Sequence, residues 1–159
     1  MKTPLQSELL KGRRVIGWQE HVALPDLQID LLKAKIDTGA RTSALHAIDL
    51  KVEQRGTEEW ISFHVPRKGV SRTVRHEALV VDHRPIKNTS GIPQFRYVIK
   101  TKLVLGSRQW AIEVSLADRK KMKFDMILGR TAIRRHKLLV AAGKSYLAGN
   151  PTISSTQAP

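Results

Sequence analysis

The chain has 159 residues, of which 41% are hydrophobic and 26% are charged. That length suits one ordinary domain and that composition suits a folded globular protein, so an enzyme with separate substrate and cofactor domains and a wholly disordered chain are both excluded. Lysine and arginine number 28 against 14 aspartate and glutamate, and the formal charge of +14 indicates an anionic partner. Cysteine is absent, which excludes disulfides, thiolate chemistry and cysteine-containing zinc sites.

We expect no export or membrane signal in the amino-terminal segment. Residues 1–8 contain no apolar core of the kind found in signal peptides, and no stretch of the chain reaches about 18 consecutive apolar residues. We therefore expect a cytoplasmic protein with no membrane partner. The composition predicts an N-terminal extension over residues 1–13, a folded domain over 14–149 and a flexible Ser/Thr/Pro-rich tail over 150–159.

Most of the chain alternates apolar and polar residues with a period of two, which predicts half-buried strands and an all-β fold. A short helix is predicted over 131–136, after Gly129. Two prolines, Asn88 and Gly91 make residues 82–93 a predicted long, mobile hairpin tip. In chain order, strands are predicted over 15–24, 29–36, 61–65, 74–81, 95–105, 110–116 and 137–140.

Two motifs carry the most information about function. The first is a strand that runs into Asp37-Thr38-Gly39, which taken alone also fits an ordinary strand-ending turn. The second, about 90 residues later, is the run 124–133, an apolar strand followed by Gly129 and a short helix. The two motifs in this order resemble the paired signatures of the retropepsin-like aspartic proteases, the family of the retroviral proteases.

The resemblance implies a specific chemistry and assembly. Peptide hydrolysis without a metal or a covalent nucleophile needs one carboxylate to activate water and another to deliver a proton. Because this chain has one Asp-Thr-Gly and is too short for two lobes, the resemblance implies a homodimer of closed β-barrels, each with one short C-terminal helix. It implies that Asp37 is the catalytic acid, that Thr38 hydroxyls lock the two loops across the dimer axis, and that Gly39 permits close approach of the substrate.

A longer run, residues 33–47, resembles one bacterial branch of that family, the RimB-type proteins associated with the glutamate ligase RimK. The likeness covers roughly residues 14–148. Members of this branch are often labelled "ATP-dependent zinc protease", but the six histidines show no helical zinc-site spacing. The run 143–145 lacks the first glycine and the following helix of a P-loop, so we predict a turn there between two short strands. We expect no metal and no cofactor.

The positive charge is concentrated in two segments, 67–102 and 119–137. Each has a net charge of +7, so together they account for the whole +14. In a retropepsin-like fold the first segment covers the flap and the second surrounds the Gly129 signature, which would place both near the cleft. The alternative is that they form a solvated basic face.

Two departures from the retroviral pattern place positive charge beside Asp37. Arg41 stands where the retroviral enzymes commonly have an aspartate that pairs with the arginine of the second signature, here Arg130, so the two arginines are predicted to form an anion-receiving corner. Lys35 lies two residues before Asp37 and faces the same side of the strand. It either receives a glutamate side chain or extends to water and pairs with a carboxylate elsewhere. The predicted substrate-binding residues are Lys35, Ala40, Arg41, Thr42, His46, Arg96 and Arg130.

These features predict an aspartic peptidase that is active as a homodimer and acts on acidic peptide. The resemblance names the substrate as the poly-glutamate tail that the RimK-type ligase attaches to a ribosomal protein. The alternative is a non-catalytic basic module that binds ribosomal RNA or the ribosome. Three Trp, three Phe and two Tyr provide few platforms for base stacking, which favours the peptidase.

Overall fold

The structure is a computed structural model that describes residues 14–87, 90–118 and 123–153. Within these ranges the chain is all-β with one short α-helix, as expected, and it also contains a 3-10 turn over Pro25–Leu27. The elements are β1 (Val15–Leu24), β2 (Ile29–Asp37), β3 (Ser43–His46), β4 (Ile48–Arg55), β5 (Glu58–His64), β6 (His76–Lys87), β7 (Pro93–Leu105), β8 (Arg108–Ala117), β9 (Met126–Gly129), α1 (Arg130–Arg135) and β10 (Leu139–Ser145). The predicted extension over 1–13 and residues 154–159 of the predicted tail lie outside the described residues.

Ten strands form one sheet in the order β10-β1-β2-β9-β3-β8-β7-β6-β5-β4. β1 also pairs with β7, where Val22 lies opposite Leu105 and Ala23 lies opposite Val104. This pairing closes six strands into a ring, in the order β1, β2, β9, β3, β8 and β7. β10 adds to β1, while β6, β5 and β4 extend the sheet beyond β7.

Apolar and polar residues alternate along β2, so this strand turns one face to the core, whereas the short strand β9 is buried over all four of its residues. On β2, for example, Leu32, Ala34 and Ile36 are buried, whereas Lys33 and Lys35 between them are exposed. The opposite face of β2 is therefore the one that Lys35 and Asp37 share. The largest fully buried side chains include Phe63, Leu45, Ile99, Leu103, Met126 and Leu128.

The predicted hairpin tip over 82–93 was wrong in its extent. β6 continues as a strand to Lys87, and residues 82–87 pair with residues 93–98 of β7. This part of β6 pairs with β7 alone, and a strand with one neighbour is where a proline, which has no N–H to donate, is tolerated. Residues 88 and 89 lie outside the described residues.

The turn predicted over 143–145 was also wrong, because these residues belong to β10, which runs parallel to β1. Gly17 permits this pairing, since a Cβ at that position would overlap the carbonyl oxygen of Lys144. Among the described residues, no helix is long and apolar enough to cross a membrane.

Candidate active site

Asp37 ends β2 and begins the loop that carries the first motif. Its side chain is half-buried, and its Oδ1 accepts hydrogen bonds from the backbone N–H of Gly39 at 3.0 Å and of Ala40 at 3.2 Å. The Ala40 N–H also lies 3.2 Å from the carbonyl oxygen of Asp37. One carboxylate oxygen is thus fixed by its own loop, while Oδ2 accepts no hydrogen bond from any residue in the described part of the chain.

The second motif holds this loop from the other side. The backbone N–H of Arg130 donates to the Ala40 carbonyl at 2.8 Å, and the Arg130 Nη1 donates to the Gly39 carbonyl at 3.0 Å. Thr131 Oγ1 donates to the Arg41 carbonyl at 2.7 Å, joined by the Thr131 N–H at 3.3 Å. Every carbonyl from residue 39 to 41 therefore has a partner on α1, which restricts how the Asp37 loop can move.

Gly129 lets the two motifs approach each other. A Cβ at this position would lie 2.8 Å from the carbonyl carbon of Thr42 and 3.0 Å from the carbonyl oxygens of Ala40 and Arg41. The Gly129 N–H donates to the buried Ser43 Oγ at 3.0 Å, which completes the contact. The glycine of the second motif is thus required by the space available rather than by its backbone angle, which is an ordinary φ of −85°.

Arg41 and Arg130, which were predicted to form an anion-receiving corner, differ in their contacts. Arg130 contacts the loop directly through the Gly39 carbonyl. Arg41 is exposed, and its guanidinium makes no hydrogen bond or ion pair with the residues that the structure describes. Arg130 therefore supports the Asp37 loop, whereas the Arg41 side chain is available to a ligand. Thr38 is exposed and Thr42 is half-buried, both on the same loop.

Lys35 shares a sheet face with Asp37, in agreement with its place two residues earlier on β2. It is exposed and forms no ion pair within the described ranges. Strand register extends this face across five strands, because side chains of paired residues point to the same side. The row that contains Lys35 continues through Ile127, Ala44, Ser115 and Val98.

His46 and Arg96 lie on this face, but the structure does not bring them against Asp37. His46 pairs with Ala117, and both lie two residues along their strands from the Lys35 row, on the side away from Asp37. Arg96 lies in the same row as His46, because it is two residues before Val98 on β7. At about 3.3 Å per residue, the two rows that hold Asp37 and His46 are separated by about 13 Å along the strands. Both residues are thus placed for a distant part of an extended ligand, not for the reacting bond.

Arg96 has an unusual environment for a charged side chain. It is only 8% exposed, and within the described residues its guanidinium bonds only to Gln94 Oε1, at 3.2 and 3.3 Å. Burial lowers the pKa of Arg96 from its ordinary value. His46 Nδ1 lies 3.9 Å from Asp118 Oδ1.

Glu20 is a structurally important residue that the sequence interpretation missed. It is fully buried on β1, and its carboxylate accepts the backbone N–H groups of Gly17 at 2.6 Å, Leu147 at 2.9 Å and Ala148 at 3.1 Å. These bonds tie the segment after β10 to β1. The signal was present in the sequence, because Glu20 has the same parity on β1 as the buried Val22 and Leu24. Among the described residues, no three His, Asp or Glu side chains are grouped to hold a metal ion.

The chain matches the model of the RimB-like family, described as the retropepsin-like aspartic endopeptidase RimB, over residues 15–151, and it belongs to that family. This confirms the resemblance found in the sequence. A solved structure of a Legionella pneumophila protein of unknown function has a TM-score of 0.72 at 27% identity, with 85% of this chain and 98% of that chain covered.

Two curated relatives are named probable alpha-L-glutamate ligase. The protein from Desulfotalea psychrophila is 42% identical over 77% of this chain and 27% of its own length. The protein from Parasynechococcus marenigrum is 40% identical over 84% of this chain and 29% of its own length. The chain therefore spans less than a third of the length of the curated relatives it matches.

Proposed function

We propose that this chain is an aspartic peptidase of the retroviral type, active as a homodimer that takes one Asp37 from each copy. The observation that carries the proposal is the state of the Asp37 carboxylate. Oδ1 is fixed by two backbone N–H groups, while Oδ2 accepts no hydrogen bond from the described residues and is free to act on water. Membership of the RimB-like family supports the assignment.

The proposed reaction is the addition of water to a peptide carbonyl between two carboxylates. One Asp37 removes a proton from water, the resulting oxygen nucleophile attacks the carbonyl carbon, and the other Asp37 gives a proton to the substrate. Breakdown of the tetrahedral intermediate then breaks the C–N bond, with a proton delivered to the leaving amine. Gly39 permits close approach of the substrate backbone, Thr38 joins the two loops across the dimer axis, and the contacts from α1 keep the carboxylates in position.

The proposed substrate is a poly-glutamate tail on a protein. Relatives named glutamate ligases carry a segment similar to this chain within a longer protein, which associates this domain with the addition of glutamate. A peptidase for such tails would consume what a ligase makes. The charge of +14 and the free ammonium of Lys35 on the Asp37 face suit a polyanionic chain.

Seven residues are proposed to bind this substrate. Those on or beside the Asp37 loop would contact glutamates next to the cleaved bond, and those in the distant row would contact glutamates further along the tail. The first group is Lys35, Ala40, Arg41, Thr42 and Arg130, and the second is His46 and Arg96.

Mass spectrometry of incubated peptides tests this function. The purified protein is incubated with a glutamylated peptide, the same peptide without its tail, and a peptide in which glutamine replaces the added glutamates. We expect shortened tails from the first peptide alone, because glutamine has the shape of glutamate without its charge. Unchanged masses for all three at enzyme concentrations that sustain a dimer, together with tight binding of ribosomal RNA, would favour the non-catalytic module instead.

A further inference from the structure

A pocket lies on the sheet face that carries Asp37. It has a volume of about 230 Å³ and is bounded by the end of the Asp37 loop, by α1 and by strands β6, β7 and β8. Two of its lining residues, Lys100 on β7 and Glu113 on β8, are register partners. Each lies two residues along its strand from a member of the Lys35 row, Val98 on β7 and Ser115 on β8. The cationic residues that line it are Arg41, Arg84, Lys100 and Arg135.

The negative charge in the pocket is already paired. Arg84 Nη2 donates to Glu113 Oε1 at 2.9 Å, and Arg84 Nε donates to Asp82 Oδ2 at 2.8 Å. Burial acts to lower the pKa of Arg84, but its hydrogen bonds to the carboxylates of Asp82 and Glu113, together with their negative charge, outweigh burial and raise that pKa overall. Glu113, the one carboxylate that lines the pocket, is therefore bound to Arg84.

The other three cations of the pocket have no such partner. The side chains of Arg41, Lys100 and Arg135 make no hydrogen bond or ion pair with the residues that the structure describes. Three like charges around one cavity repel each other, and an anion placed between them would remove that repulsion. Arginine also offers a planar pair of N–H donors that matches the two oxygens of a carboxylate.

The size and lining of the pocket restrict the kinds of ligand that could bind in it. Its volume is below the range of about 300–1,000 Å³ that is usual for whole small-molecule ligands, so it suits one or two side chains of a larger ligand. None of the lining residues is aromatic, so the pocket offers no stacking surface for a nucleic-acid base. These properties favour side-chain carboxylates of an acidic peptide over RNA.

We propose that this pocket is an anion subsite, separate from the reacting carboxylates, that binds glutamate side chains of an acidic peptide extending from the cleavage site. The peptide substrate rests on the proposed function, whereas the carboxylate binding rests on the pocket itself. Arg41 links the two sites, because its backbone belongs to the Asp37 loop and its side chain lines the pocket.

Binding to a non-cleaving protein tests the subsite without catalysis. A fluorescently labelled oligo-glutamate is titrated into Asp37→Asn and into the same protein with Lys100→Gln and Arg135→Gln. The matched control carries Lys102→Gln and Arg134→Gln, which removes two charges from the same strand and helix but from residues that do not line the pocket.

We expect the pocket variant to bind oligo-glutamate at least about tenfold more weakly, equivalent to about 1.4 kcal/mol. The control should change binding by much less, and the salt dependence should decrease only in the pocket variant, because the lost contacts are ionic. Equal weakening by both pairs would overturn the subsite, since it would show a diffuse electrostatic effect. Loss of oligo(U) binding rather than oligo-glutamate binding in the pocket variant would also overturn it.

Kinetic measurements on protein that retains Asp37 separate the proposed subsite from the proposed peptidase function. With Lys100→Gln and Arg135→Gln the KM for poly-glutamate should rise while kcat stays near that of the parent, because the pocket does not touch the reacting bond. If the parent cleaves nothing but the pocket variant still loses oligo-glutamate binding, the peptidase proposal fails and the subsite stands. If cleavage occurs with an unchanged KM, the subsite fails and the peptidase stands.

Discussion

Asp37 and Gly129 are register partners at the carboxyl ends of the parallel strands β2 and β9. Two motifs separated by about 90 residues in the sequence are thus adjacent in the fold. The contact has no spare room, because any side chain at Gly129 would meet the backbone of residues 40–42. The position of the Asp37 loop consequently depends on the absence of a side chain at residue 129.

Gly129→Ala should therefore displace the Asp37 loop. We expect a loss of about 1–3 kcal/mol in the free energy of unfolding, as is typical of overpacking, together with a large loss of peptide cleavage. Gly143→Ala is the control, because a Cβ there meets nothing within 4 Å. Urea denaturation and a cleavage assay measure the two effects. Parent-like values for Gly129→Ala in both measurements would show that the loop does not depend on this contact.

Glu20→Gln should loosen the segment that follows β10. The two carboxylate oxygens of Glu20 accept three backbone N–H groups. The glutamine side chain would keep one acceptor oxygen, and its NH₂ group would face at least one backbone N–H, which would lose its acceptor. We expect a loss of about 1–3 kcal/mol in the free energy of unfolding. Glu58→Gln, at an exposed position of β5, should have little effect. If the two variants unfolded at the same urea concentration, the role assigned to Glu20 would be wrong.

His76 should make the protein less stable in mild acid. Burial, followed by the nearby Arg67, lowers its pKa below the ordinary value of 6.5, and the ring accepts from Arg67 Nη2 at 3.3 Å in its neutral form. Below pH 6.5 the unfolded state binds more protons than the folded state, so the free energy of unfolding falls as pH decreases. His76→Gln should make that dependence shallower. Urea denaturation above and below pH 6.5 measures the slopes, and equal slopes for His76→Gln and the parent would contradict the assignment.

The sequence predicted the long strands of the ring best, because on strands such as β2 buried and exposed residues alternate. The predicted bounds of β1 coincide with Val15–Leu24, and the apolar residues of β2 alternate as expected. β4 was missed because every residue after Ile48 in it is exposed, so it has no apolar face to produce alternation. Only four residues long, β3 directly follows the motif loop and gave too short a pattern to detect.

The candidate site was predicted in part. Asp37, its loop and Arg130 come together as the motifs indicated, since those residues are close in sequence or in adjacent strands. The distance of His46 and Arg96 from Asp37 depends on the register of β3, β8 and β7, which residue spacing does not reveal. The pocket lined by Lys100 and Arg135 was unpredicted for the same reason, because it needs the placement of α1 against the sheet.

Activity should depend on protein concentration if each copy supplies one Asp37. Specific activity is expected to fall on dilution through the dimer dissociation constant, and addition of Asp37→Asn protein should inhibit the parent by forming mixed dimers. Light scattering at the same concentrations reports the assembly state. A monomer that retains full specific activity would contradict the requirement for two copies.

The chemistry of Asp37 is the central claim, and Asp37→Asn tests it most directly. The asparagine keeps an oxygen for the Gly39 and Ala40 N–H groups but cannot act as a base, so the fold should persist while cleavage is lost. Asp30→Asn, at an exposed position of the same strand, is the matched control. Mass spectrometry of a glutamylated peptide should show intact tails with Asp37→Asn and shortened tails with Asp30→Asn and the parent. Tails shortened by Asp37→Asn at the parent's rate would contradict the aspartic mechanism.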